Sequence, residues 1–229
     1  MPHKDHISVR FDGELRSLKE QILTMGRLVD AQVDEAVAAL VARDAERARR
    51  IALADSAVNH LELAIDEQCI RMLVLHQPAA SDLRFIAASL KMVTDLERIG
   101  DLAVNMAERV EVLAALPSLR EVAELPPMAA SAQKMLRDVL EAFVNGDPAR
   151  AEAVMAADPA IDAWMVRLFE EVKAEMSRDP ATIEAGLATI FFGKQIERMA
   201  DHTTNVAEMV VYLVRGQDVR HAHQVPSGK

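Results

Sequence analysis

Aromatic residues are scarce in this sequence, at 3%, with one Trp and one Tyr. The core must be assembled from Leu, Val, Ile, Met and Ala, which suits helices better than sheets. Cysteine occurs once, at Cys69, which excludes an internal disulfide and fits a reducing compartment. It falls in an apolar helical stretch and reads as a buried structural thiol rather than a nucleophile. No apolar run approaches the roughly 18 residues that a membrane span needs. Met1 to Glu14 is polar and mixed in charge, unlike a secretory signal. The expected location is therefore cytoplasmic, without membrane insertion. Basic residues are outnumbered, 26 against 36 acidic, for a net charge of −10. Nucleic acid is a poor partner for such a chain, whereas cations or basic protein surfaces fit it, as does simple solubility. A glycine-rich phosphate loop, a zinc cluster of Cys and His, and the Glu-x-x-His pairs of ferritin-like di-metal oxidases are all missing.

What remains is helical periodicity. With 229 residues, half of them apolar, the chain could form one large domain or two small ones. Leu15, Leu18, Ile22, Met25, Val29, Val33, Val37 and Leu40 step by three and four, predicting a first helix from Leu15 to about Arg43. Asp44 caps a second helix, Ala45 to His76, with Ile51, Val58, Leu61, Ile65, Ile70 and Leu73 inward. Past Pro78, Ser81 and Asp82 open a third, with Leu83, Ile86, Leu90, Val93, Leu96, Ile99, Val104, Val110 and Leu113 on its apolar face. Pro117 and Pro126-Pro127 mark the main break. A fourth helix runs from about Met128 to Asn145, and Gly146-Asp147-Pro148 is a stop followed by a capped restart. The fifth helix, with a kink expected at Pro159, reaches Arg178. Asp179-Pro180 starts the sixth, which Gly216 ends near Arg215. Met25, Met92 and Met106 read as core or interface, and Trp164 as a core anchor of the second half.

The chain repeats itself. Val41 to Ala48 lines up with Val144 to Ala151, and Thr94 to Glu108 with Lys194 to Glu208. A period of about 100 residues suits a duplicated three-helix bundle rather than a solenoid unit. The expected fold is all-α, two tandem three-helix bundles over 1–117 and 118–216, with a polar tail at 217–229.

In the third helix Glu97, Asp101, Asn105 and Glu108 fall on one face, and in the sixth so do Glu197, Asp201, Asn205 and Glu208. Carboxylates one turn apart repel, and a bound cation reverses that sign. Their oxygens are hard ligands, suited to Mg²⁺, Mn²⁺, Ca²⁺ or iron. One helical pair offers too few ligands, so a neighbouring helix must add more. Asp55/Asn59 and Asp158/Asp162 have the right spacing on the second and fifth helices, and Glu62 and Asp66 could extend the first set. The bland alternative is ion pairing alone, with Arg98, Lys194 and Arg198 neutralising the rows. His202, next to Asp201, reads as a surface residue.

Gln77-Pro78-Ala79-Ala80-Ser81-Asp82-Leu83-Arg84, followed by Lys91 to Ala103 with Glu97-Arg98-Ile99-Gly100-Asp101 at its centre, closely resembles the PhoU family. The resemblance covers nearly the whole chain, with a looser second motif at Glu197-Arg198-Met199-Ala200-Asp201. It implies a bacterial cytosolic regulator of two three-helix repeats. Such a protein couples a phosphate ABC transporter to a sensor histidine kinase and represses the phosphate-starvation response, and dimers are usual. It also implies metal ions, in some members multinuclear clusters, on Glu97/Asp101 and Glu197/Asp201, with Asp55/Asn59 and Asp158/Asp162 facing them. Two departures bear on this: Asn59 replaces a carboxylate, and Pro159 could shift Asp158 off its helix. The expectation is a non-enzymatic adaptor binding Fe, Mn, Mg or Zn. A metal-dependent hydrolase or redox protein is the alternative, and it would need a general base or open pocket that the sequence does not mark. A purely structural helical adaptor is a third reading.

Overall fold

Residues 3–78, 80–119 and 122–219 are described by the computed structural model. Helix α1 (His3–Ala42) begins well before the expected Leu15. The polar entry is held by the tertiary fold: Phe11 packs on the His76 ring at 4.8 Å between centroids, and Glu14 meets His76 Nε2 at 2.9 Å. Periodicity misses such a start because its contacts are polar or lie far along the chain. Downstream, Leu18, Ile22, Met25, Val29 and Val33 are fully buried, as their spacing requires.

Asp44 accepts a hydrogen bond from the Arg47 N–H at 2.9 Å and caps the next helix. That helix is interrupted: α2 (Ala45–Ala54) and α3 (Ser56–His76) meet at Asp55. The Asp55 carbonyl accepts from both Val58 N (2.9 Å) and Asn59 N (3.2 Å), a locally tightened turn. Ile70, expected inside, is 58% exposed, and Cys69 and Met72 are buried instead. Cys69 is the expected buried thiol, pushed up to about 12 chiefly by desolvation.

Helix α4 (Ala80–Ala115) buries Ile86, Met92, Val93, Leu96, Ile99 and Met106, while Leu83 at its exposed start does not join the core. Helix α5 (Leu125–Asn145) starts before the expected Met128, because Pro126 and Pro127 sit in its first turn. Their missing N–H groups cost nothing there. Gly146 closes α5 at φ 60, and Asp147 caps α6 (Pro148–Arg178) through the Ala149 and Arg150 N–H groups. α6 runs unbroken through Pro159, so Asp158 stays helical. The corresponding helix of the first repeat, without a proline, is the one that breaks, at Asp55. A short 3₁₀ turn (Pro180–Thr182) leads into α7 (Ile183–Arg215), which ends on Gly216 at φ 70. Counting α2 and α3 as one interrupted helix, the chain has six, with no strand among the described residues. Of the expected tail, 220–229 lies outside the described residues.

The two repeats share one continuous apolar core. Its centre is the pairing of α4 with α7, the most extensive helix contact in the molecule. They run antiparallel: Asp95 meets Asn205 at 3.0 Å, and the Arg109 guanidinium lies 4.3 Å from the Phe191 ring centre. Within each repeat the remaining helices pack on α4 or α7, and α1 also packs on α5 across the repeats. Trp164 is only half-buried against this core, with Arg167 5.9 Å from its ring.

Candidate metal centre

Four of the sequence-selected carboxylates of the second repeat lie within electrostatic reach of one another. Asp158 and Asp162 lie on α6, Glu197 and Asp201 on α7. Asp158 is pushed up to about 6, by desolvation first and then by the negative charges of Asp201, Asp162 and Glu197. Asp201 is raised by burial, Glu197 and Asp162, against the lowering effect of Lys194 and His202. Each group thus stands in the field of the others. A position that disfavours several negative charges at once favours a cation that relieves them.

The first repeat is arranged differently. Glu97 is raised by burial and then by Asp101, with Arg98 opposing and Glu62 adding. Glu62 is raised by burial and by Asp66 and Asp101. Glu62 of α3 therefore stands in the field of the α4 row, and Asp66 in that of Glu62. Asp55 lies beside Gly100, which follows Glu97 by three residues and immediately precedes Asp101, and it accepts a hydrogen bond from Asn59 Nδ2 at 2.9 Å. Its other oxygen, Oδ1, and Asn59 Oδ1 are buried without a partner.

Basic side chains partly neutralise both rows. Arg98 lies 3.5 Å from Glu97 and 3.4 Å from Asp101, and Lys194 pairs with Glu197. Among the described residues, no three His, Cys, Asp or Glu side chains converge as a ready-made ion cage. The donor set still fits a hard cation in its chemistry: neighbouring carboxylates, of which Asp158, Asp201 and Glu97 are raised, and orphaned amide and carboxylate oxygens in the first repeat. Binding would require Arg98 and Lys194, both more than half exposed, to swing away.

The outer ends of the rows behave otherwise. Asn205 donates to Asp95 Oδ1 across the α4–α7 seam, and His202 Nδ1 meets the same oxygen at 2.9 Å. His202, read as a surface residue, is 22% exposed and bridges the repeats. Asp95 lies within the repeated motif, but its partners come from the other repeat, and no spacing within one helix signals them. Gln32, a glutamine between Val29 and Val33 on the apolar stripe of α1, is buried with them.

The PhoU domain model matches residues 22–110 and again 125–210. A phosphate-specific transport system accessory protein PhoU homolog from Pseudomonas putida is 40% identical over 217 residues, covering 94% of this chain and 85% of that one. The crystal structure of PhoU from Pseudomonas aeruginosa superposes with a TM-score of 0.88 at 38% identity, over 90% of this chain and 100% of that one. The phosphate transport system regulatory protein PhoU from Streptococcus pneumoniae gives 0.85 at 33% identity, over 91% and 99%. Doubled domain, shared fold and end-to-end coverage agree: the chain belongs to the PhoU family.

Proposed function

We propose that this protein is a negative regulator of phosphate uptake and of the phosphate-starvation response. It acts as a non-enzymatic adaptor in the cytoplasm, between the ATPase subunit of a phosphate ABC transporter and a sensor histidine kinase. When phosphate is plentiful it holds the kinase in its repressing state. Relatives named as accessory and regulatory proteins of phosphate transport support this reading. So does the absence, among the described residues, of a helix long and apolar enough to cross a membrane.

Metal ions belong to the same proposal. Asp158, Asp162, Glu197 and Asp201 in one repeat, and Asp55, Asn59, Glu97 and Asp101 in the other, would hold them. The bound ion supplies positive charge that ties helix to helix. The observations that carry this are the buried, unpartnered oxygens of Asp55 and Asn59 beside the α4 row, with the Asp158 carboxyl of the other repeat pushed up to about 6 by burial first and then by Asp201, Asp162 and Glu197. Fe, Mn, Mg and Zn are the candidate ions.

A partner surface is available. α3 exposes Leu63, Ile70, Val74 and Leu75, each at least 58% accessible. An apolar face of this kind suits a homodimer or another protein. Deleting the gene should switch on phosphate-scavenging genes in phosphate-rich medium, and restoring the wild-type gene should silence them. Scavenging genes that stay silent after deletion would refute the regulatory role. Turnover of phosphate esters by the purified protein would favour a hydrolase instead.

A further inference from the structure

Gln32 sits on the buried face of α1 and is 6% exposed. Neither its Oε1 nor its Nε2 has a hydrogen-bond partner. A buried amide left unpaired opposes folding, and such groups in native proteins are met by a water or an ion. Its Oε1 is aimed at Gly100. A Cβ on that residue would stand 3.3 Å from Gln32 Oε1 and 3.6 Å from Asp55 Oδ1. Asp55 Oδ1 and Asn59 Oδ1 are orphaned as well. Two acceptor oxygens, from α1 and the Asp55 turn, thus meet over Gly100 of α4, and Asn59 of α3 is tied to Asp55 through its Nδ2; the free oxygen of each of the three side chains lacks a donor. The helix break at Asp55 and the missing side chain at Gly100 leave them this space.

The second repeat is built differently at the same places. In the register that pairs Asp44 with Asp147, Met135 stands for Gln32 and Asp162 for Asn59. In the register that pairs Glu97 with Glu197, Ala200 stands for Gly100. Met135 is 3% exposed and offers a thioether, a poor ligand for a hard cation. One repeat therefore combines two neutral amide oxygens with a carboxylate, where the other has carboxylates and a methionine.

We propose that Gln32 is an oxygen ligand of the first repeat's ion site. That site takes one hard divalent cation through Gln32, Asp55 and Asn59 together with the α4 row. It differs in kind from the all-carboxylate second site. The assignment rests on the metal-holding reading above and deepens it.

Equilibrium dialysis of metal-stripped protein against Mn²⁺, counted per chain, tests it. Wild type is compared with Gln32→Met, Gln32→Glu and Asp158→Asn/Asp162→Asn. Methionine is what the second repeat buries at this place, so Gln32→Met should keep the fold, as circular dichroism would verify. The expected result is two classes of bound Mn²⁺ in wild type. Gln32→Met weakens one class by at least about tenfold and leaves the other. Gln32→Glu retains both, and the double variant loses the class that Gln32→Met keeps. Wild-type stoichiometry and affinity in Gln32→Met, the amide then serving a buried water, would overturn the assignment while leaving the metal-holding reading intact. Wild type that takes up no Mn²⁺ would overturn both.

Discussion

Asp158 shows how one side chain reports on its site. Its carboxyl is pushed up to about 6 from the ordinary aspartate value of 3.8, by burial first and then by the neighbouring carboxylates. A raised carboxyl is neutral in both states at low pH, so its contribution to stability is fully present below about pH 4. It is lost as pH rises to about 6, where the folded protein must ionise Asp158 among three other carboxylates. Metal-free protein should therefore lose stability from this source between about pH 4 and 6. Asp158→Asn should flatten that part of the Tm-against-pH curve and raise Tm at pH 7. An unchanged curve would mean that Asp158 is well solvated. Gln32 gives a second test at this scale. Relieving its unpaired amide with Gln32→Met should stabilise the metal-free protein by about 1–3 kcal/mol, seen as a shifted urea midpoint with an unchanged slope. Both effects have sequence signals, an acidic pair at helical spacing and a glutamine on an apolar stripe. The sequence alone does not show that Gln32 and Asp55 meet over Gly100, because that contact depends on how three helices pack.

Helices were the most legible feature. Every one was foreseen, and the caps at Asp44, Asp147 and Asp179 work as their spacing predicted. Boundaries failed where tertiary contacts outweigh local preference: at the early start of α1, at the prolines inside α5, and at Asp55. Pro159 does not end α6, because proline removes only one intrahelical bond and the helix continues past it to Arg178. Close packing supplies the test at this scale. At Gly193 a Cβ would press into Leu168 Cδ2 and stand 3.2 Å from Met165 Sδ, and Leu168 is fully buried. Alanine gains about 1 kcal/mol of helix propensity there, but overpacking costs about 1–3 kcal/mol. Because Leu168 is fully buried and must shift against its neighbours, Gly193→Ala should be net destabilising, by about 1–2 kcal/mol, in thermal or urea unfolding. A neutral or stabilised variant would show that α6 and α7 sit farther apart.

At the scale of the whole molecule the duplication was legible, whereas the way the two copies face each other was not. Asp95, His202 and Asn205 join α4 to α7 across the seam, and each lies in a motif that reads as complete within its own repeat. A core shared by both repeats predicts one cooperative unfolding transition, the same by far-UV circular dichroism and by Trp164 fluorescence. Two resolved transitions would mean that the repeats are energetically separate. The pairing of acidic rows within each repeat carries the functional account. Elemental analysis of protein purified without added metal or chelator tests it most directly, with Glu197→Ala/Asp201→Ala and Glu97→Ala/Asp101→Ala alongside. Metal retained by the wild type after dialysis, and lowered in each double variant, is the predicted result. Metal-free wild type, or variants with wild-type metal content, would contradict it.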